Sequence, residues 1–148
     1  MNLHITAIAL SLLLLIYHQV TTWVPLFPWN DVKQYSWKEL LAEAGTNGIL
    51  MGNGTLCLIF GNTGFHHYYP LIYYPFLLSG EFFQWWLPYF SEKFAASRVN
   101  FDYERLFGRT TKLIPPKPGK RTPDANHIVL HAITVITVIV VYLDRFNS

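Results

Sequence analysis

Charged side chains are scarce in this chain of 148 residues, and the first 30 positions contain none. Asp, Glu, Lys and Arg together make up 14% of the sequence, whereas a soluble domain has about 25%. Apolar residues account for 51% of the chain and aromatic residues for 17%. A soluble domain keeps its surface hydrated with charged side chains, so this deficit favours an integral membrane protein.

Cysteine is nearly absent as well, since Cys57 is the single one. No disulfide can therefore form within the chain, and a cysteine-based metal cluster is excluded. The sequence has no phosphate-binding glycine loop, no dinucleotide-binding fingerprint and no credible Ser-His-Asp arrangement. It also lacks any motif for binding RNA or DNA, so we predict no nucleic-acid partner.

Four apolar stretches have about the length that a membrane-spanning helix requires. The predicted helices cover residues 3–24, 45–61, 68–89 and 125–143. The first stretch lacks the positive start and the small-residue cleavage site of a signal peptide, so we interpret it as a retained helix. Ser36 and Glu39 form a capping-box pattern that opens the second helix. We therefore predict an all-α membrane protein, with four transmembrane helices in a bundle and residues 1–148 in one domain.

Basic residues are distributed unevenly among the connecting segments. Of eleven Lys and Arg, two lie between the first and second apolar stretches, eight lie between the third and fourth, and only Arg145 lies beyond. The positive-inside rule then predicts that loops 25–36 and 91–124 are cytoplasmic and that both termini lie outside. We expect a multi-pass protein of the cell membrane, with anionic lipid heads against the basic loop. A partner membrane protein is a further hypothesis.

Glycine and proline mark the second and third helices. Gly48 and Gly52 form a GxxxG pair, and we expect it to pack against another helix of the same chain. Pro70 and Pro75 are predicted to kink or delay the third helix. Within the basic loop, residues 101–107 are predicted to form a short helix on the membrane surface.

Ionisable and polar side chains inside the apolar stretches are the candidate functional residues. His18 lies in the first stretch, Glu81 and Gln84 share one face of the third, and His131 lies in the fourth. At a rise of about 1.5 Å per residue, the two histidines and Glu81 lie roughly 6–10 Å deep in the cytoplasmic half of the bilayer. If these faces meet, the four residues form a ligand or proton pocket. Residues that could lie near it are Gln19, Glu43 and Asn47.

Three functions remain open for this pocket. In the first, Glu81 pairs with His18 or His131 to fix helix packing, and the protein is a noncatalytic membrane subunit or accessory protein. In the second, it binds a small apolar or cationic ligand against aromatic walls, as a binder or a proton-coupled carrier.

The third function is that of a membrane metalloenzyme or redox protein that uses His18, Glu81 and His131. His127 and His131 are the candidate metal ligands, because their i, i+4 spacing puts two imidazoles on one helix face. We predict no cofactor, and a metal or haem belongs to this third hypothesis alone.

Overall fold

The computed structural model describes residues 2–61, 63–95 and 102–147, and these ranges contain helices and no strands. The elements are α1 (Leu3–Trp23), a 3-10 turn (Val32–Gln34), α2 (Trp37–Phe60), α3 (Gly64–Glu81), a π-helical turn (Phe82–Trp86), α4 (Leu87–Phe90), α5 (Glu92–Ala95), α6 (Tyr103–Phe107) and α7 (Ala125–Phe146). The prediction of an all-α chain is confirmed. Arg98 and Phe101 lie outside the described residues.

Two of these helices, α1 and α7, are long and apolar enough to cross a membrane. Helix α1 packs against α2 and α7, and α3 packs against the same two helices. Helices α1 and α7 run antiparallel, because His4 contacts Asp144 at one end and Tyr17 contacts Asn126 near the other. Each long helix thus contacts two others, and the four enclose a common interior.

Local capping explains where the long helices begin. The Asn2 side chain accepts hydrogen bonds from the first turn of α1. Ser36 and Glu39 form both bonds of the predicted capping box, which is therefore confirmed. Helix α2 begins at this cap and so includes a polar first segment that the predicted span over 45–61 leaves out. Asp124 caps α7 through the backbone N–H of His127.

The third helix differs most from its prediction over 68–89. It begins earlier, at Gly64, and neither Pro70 nor Pro75 interrupts it. Pro75 has no N–H for the carbonyl of Leu71, and the Tyr142 hydroxyl of α7 donates to that carbonyl at 2.9 Å instead. After Glu81 the helix widens into the π-helical turn before α4. A contact across two helices therefore compensates for a proline that the sequence marks as disruptive.

The interior and the outer surface have unusual polarity. Polar side chains are buried inside, among them Ser11, Thr55, Thr134 and Thr137. Large apolar side chains are exposed on all four long helices; examples are Ile5, Ile16, Ile49, Phe60, Phe65, Ile72, Ile136 and Ile139. A soluble protein seldom exposes so much contiguous apolar surface.

Both predicted cytoplasmic loops, as far as they are described, lie at the same end of the helices. Arg109 Nη2 lies 2.6 Å from Asp31 Oδ2, and Arg105 Nη2 lies 2.7 Å from Glu39 Oε1. The predicted short helix is present as α6, and its Leu106 and Phe107 are buried in a cluster with Trp85. Its location on a membrane surface stays a prediction.

Candidate functional site

A cavity of about 250 Å³ lies among α1, α2, α3 and α7. Its polar and ionisable lining residues are His18, Glu43, Asn47, Tyr73, Glu81, Gln84, His127 and His131. Among the described residues that line it there is no Lys or Arg. The four predicted pocket residues thus surround one cavity, whereas their binding of a ligand or proton stays a prediction.

Glu81 is the most constrained acid of the cavity. It ends α3 and is 8% exposed, and its Oε1 lies 2.8 Å from the Thr134 hydroxyl of α7. Its Oε2 is buried without a hydrogen-bond partner, and no basic side chain of the described residues forms an ion pair with it. The predicted pairing with His18 or His131 is therefore not observed, because each histidine has another partner. A buried carboxylate without a cation is costly.

His131 is fixed by a tryptophan from the π-helical turn. The Trp86 indole N–H donates to His131 Nδ1 at 3.0 Å. An indole nitrogen can only donate, so Nδ1 is an acceptor and the imidazole proton resides on Nε2. That Nε2 is buried without a partner among the described residues. His131 therefore offers one unsatisfied N–H donor.

His18 and Glu43 form the side of the cavity between α1 and α2. His18 Nε2 lies 3.4 Å from Glu43 Oε1, and Asn47 donates to the same carboxylate at 3.0 Å. The Glu43 side chain is 54% exposed, so it lies at the mouth of the cavity. His18 Nδ1 and the Tyr73 hydroxyl are buried without partners.

Four residues that line this cavity each have one buried polar atom without a hydrogen-bond partner among the described residues: His18 Nδ1, the Tyr73 hydroxyl, Glu81 Oε2 and His131 Nε2. Each such atom costs about 1–3 kcal/mol when it is left dry and unsatisfied. A bound molecule that supplies donors and acceptors would satisfy such atoms, and whether one binds here stays a prediction.

His127 is held differently from the other two histidines. Its Nδ1 lies 2.7 Å from Asp124 Oδ1, and its ring packs against Trp85 with centroids 3.9 Å apart and the ring planes tilted by 36°. The His127 and His131 ring centroids are 5.9 Å apart. Within the described part of the chain, no three His, Cys, Asp or Glu side chains are grouped to hold a metal ion. The two predicted metal ligands, His127 and His131, therefore have no third ligand among the described residues.

A smaller polar cavity of about 60 Å³ lies towards the loops and shares His18, Glu43 and His127 with the first. Asp124 lines it and is 1% exposed. Burial raises the pKa of the Asp124 carboxyl, but attraction to His127 and hydrogen bonds from His127 and Thr110 outweigh burial, so the pKa lies below its ordinary value. Burial also lowers the pKa of the nearby Lys112 amine.

Several partners in the site were not predicted. The contacts of Thr134 with Glu81 and of Trp86 with His131 are among them. Asp124 precedes His127 by three positions, which is the spacing of an N-cap bond, and this signal could have identified it. The bond between Trp86 and His131 has no sequence signal, since it depends on the π-helical turn.

Comparison of the chain with protein-family models, with curated proteins and with solved structures finds no match. Any function of the cavity is therefore inferred from the residues that line it.

Proposed function

We propose that the chain is a four-span protein of the cell membrane, with loops 25–36 and 91–124 on the cytoplasmic side and both termini outside. In the most apolar window of α1 and of α7, only 22% of the residues are buried, whereas a core helix of a soluble protein is mostly buried. The exposed apolar side chains of α2 and α3 support two further spans. The basic residues of the two loops support the orientation.

We propose further that the cavity binds a small organic cation. The observation that carries this proposal is the unpaired Glu81 Oε2, buried in a cavity whose described lining includes no Lys or Arg. A cation would supply the missing partner of the carboxylate. Tyr73 and Trp85 line the same cavity, and aromatic rings attract cations.

This proposal favours the second hypothesis from the sequence, a binder or carrier of a small ligand, over the first, a subunit without a ligand. Glu81, His18 and His131 each bond to a residue outside the trio and not to one another. A proton and a cation would compete for the same Glu81 carboxylate. The competition makes a proton-coupled carrier the natural extension of a binder.

The test is binding of radiolabelled benzyltrimethylammonium to the protein in lipid nanodiscs, with empty nanodiscs subtracted. We expect Glu81→Gln to weaken binding by at least about 10-fold, because the neutral amide keeps the size and loses the charge. Glu104→Gln is the matched control, since Glu104 is exposed and lies outside the cavity. Equal binding by both variants, or no binding by the natural chain, would refute the proposal.

A subunit without a ligand predicts a different result. In that case no cation binds above the empty-nanodisc level, and Glu81→Gln changes only the melting temperature in detergent. Measuring both quantities on the same preparations separates a ligand site from a packing cluster.

A further inference from the structure

An apolar groove of about 700 Å³ opens on the outer side of α3, the π-helical turn and α7. Apolar side chains that form it include Leu78, Phe82, Phe83, Trp86, Ala132 and Val135. Phe83 is 64% exposed and Val135 is 40% exposed, so the groove faces the surroundings of the protein. Its volume lies within the range of about 300–1,000 Å³ that small-molecule sites occupy.

The groove and the polar cavity meet at one side chain. His131 lines both of them, and the Trp86 that holds His131 Nδ1 is also part of the groove. A groove that merely accommodates lipid chains needs no buried histidine with an unsatisfied N–H at its inner wall. The π-helical turn supplies Phe82, Phe83 and Trp86 together, and such turns are frequent at functional sites.

We infer that the ligand of the cavity is an amphiphile, with its cationic head at Glu81 and its apolar chain in the lipid-facing groove. This inference rests on the proposed function, because it assigns the head to the same carboxylate. The two compartments have matching chemistry: one contains carboxylates without Lys or Arg among its described lining residues, and the other is apolar apart from Ser79 and His131. In this arrangement the ligand spans the two compartments across His131, the one lining residue that they share.

The experiment compares two radiolabelled cations, benzyltrimethylammonium and dodecyltrimethylammonium, on the protein in nanodiscs with empty nanodiscs subtracted. Compared at equal concentrations in the bilayer, the long-chain cation should bind the natural chain more than about 10-fold more tightly, because its chain contacts the groove side chains. Val135→Trp fills the groove and should remove this preference, while the affinity for benzyltrimethylammonium stays within about twofold.

Ile136→Trp is the matched control, because Ile136 is the next residue, is 49% exposed and does not line the groove. It should keep the long-chain preference. Size exclusion and circular dichroism check that Val135→Trp folds. If it does not, Ala132→Leu replaces it, at a second exposed position of the groove. Equal behaviour of the groove and control variants would overturn the inference.

The experiment distinguishes failure of the proposed function from failure of the groove assignment. If Glu81→Gln binds benzyltrimethylammonium as well as the natural chain does, the head site is wrong regardless of the groove. If Glu81→Gln weakens the short cation but Val135→Trp leaves the long-chain preference intact, the head site stands and the groove assignment is refuted.

Discussion

At the scale of single residues, the chemistry of the cavity depends on which ring nitrogen and which carboxylate oxygen have no hydrogen-bond partner. The Trp86 indole occupies His131 Nδ1, so the remaining donor of His131 is its Nε2–H. Thr134 satisfies one oxygen of Glu81 and leaves the other unpaired. Which atom of His131 and of Glu81 lacks a hydrogen-bond partner is therefore decided by a neighbour on another element, and not by the residue type alone.

Asp124 allows a prediction about acid stability. Its pKa is lowered in the folded protein, so it contributes stability that is present above the unfolded pKa of about 3.9 and is lost as pH falls through the folded value. We expect Asp124→Asn to lower the free energy of unfolding at pH 7 by about 1–3 kcal/mol. The variant should also lose less stability between pH 5 and pH 3 than the natural chain.

Thermal unfolding in detergent over this pH range is the measurement. Asp102→Asn is the control, because the Asp102 side chain is 60% exposed. An identical acid dependence for the two variants would show that Asp124 is not the group responsible.

At the scale of secondary-structure elements, close approach to α2 depends on particular glycines. The two glycines of the predicted GxxxG pair have different surroundings. A Cβ at Gly48 would lie 2.9 Å from Gln19 Nε2 of α1, whereas a Cβ at Gly52 would meet nothing within 4 Å. The tightest approach on α2 is at Gly54, where a Cβ would lie 2.8 Å from the Tyr74 hydroxyl. Helices α2 and α3 thus meet at a glycine outside the motif.

Gly54→Ala should destabilise the protein, because Tyr74 is fully buried and has little room to move away. We expect a loss of about 1–3 kcal/mol, typical of overpacked sites. Gly52→Ala is the matched control on the same helix, and it should be neutral or slightly stabilising because alanine favours helices. Melting temperatures in one detergent check both variants. Equal losses would show that the α2–α3 contact does not require Gly54.

At the scale of the whole molecule, large apolar side chains are exposed on the helices while several polar side chains are buried between them. Thr134 and Thr137 are fully buried, while Ile139 is 53% exposed on the same helix. The His4–Asp144 pair, with Nδ1 and Oδ2 3.0 Å apart, lies at the end of the helices opposite the two basic loops. This arrangement suits an apolar solvent around the middle of the molecule and water at its two ends.

The proposed orientation predicts which positions a membrane-impermeant maleimide can reach. Cys57 is buried, so Cys57→Ala provides a background without reactive thiols. Thr63→Cys, in the exposed turn between α2 and α3, should react in intact cells, whereas Pro118→Cys, in the basic loop, should react only after lysis. The reverse pattern would invert the topology, and reaction of both in intact cells would refute four spans.

The sequence by itself determined the elements whose signals are local. The apolar lengths of α1 and α7, the cap at Ser36 and the side-by-side Glu81 and Gln84 follow from spacing along one helix. The sequence also placed His18 and His131 in the first and fourth apolar stretches as candidate pocket residues, and both are buried. Local hydrogen bonds and helical periodicity depend on neighbours in the chain, which a single sequence displays.

Only the tertiary structure decided which atoms meet. The Tyr142 hydroxyl maintains α3 past Pro75, the π-helical turn brings Trp86 to His131, and Thr134 reaches Glu81. Each of these contacts joins α7 to α3 or its extension, at separations of 45 to 71 residues. Their geometry depends on how each helix is rotated and offset against the next. The rotation and offset of each helix are fixed by the packing of all four helices together, and no single segment of the sequence encodes them.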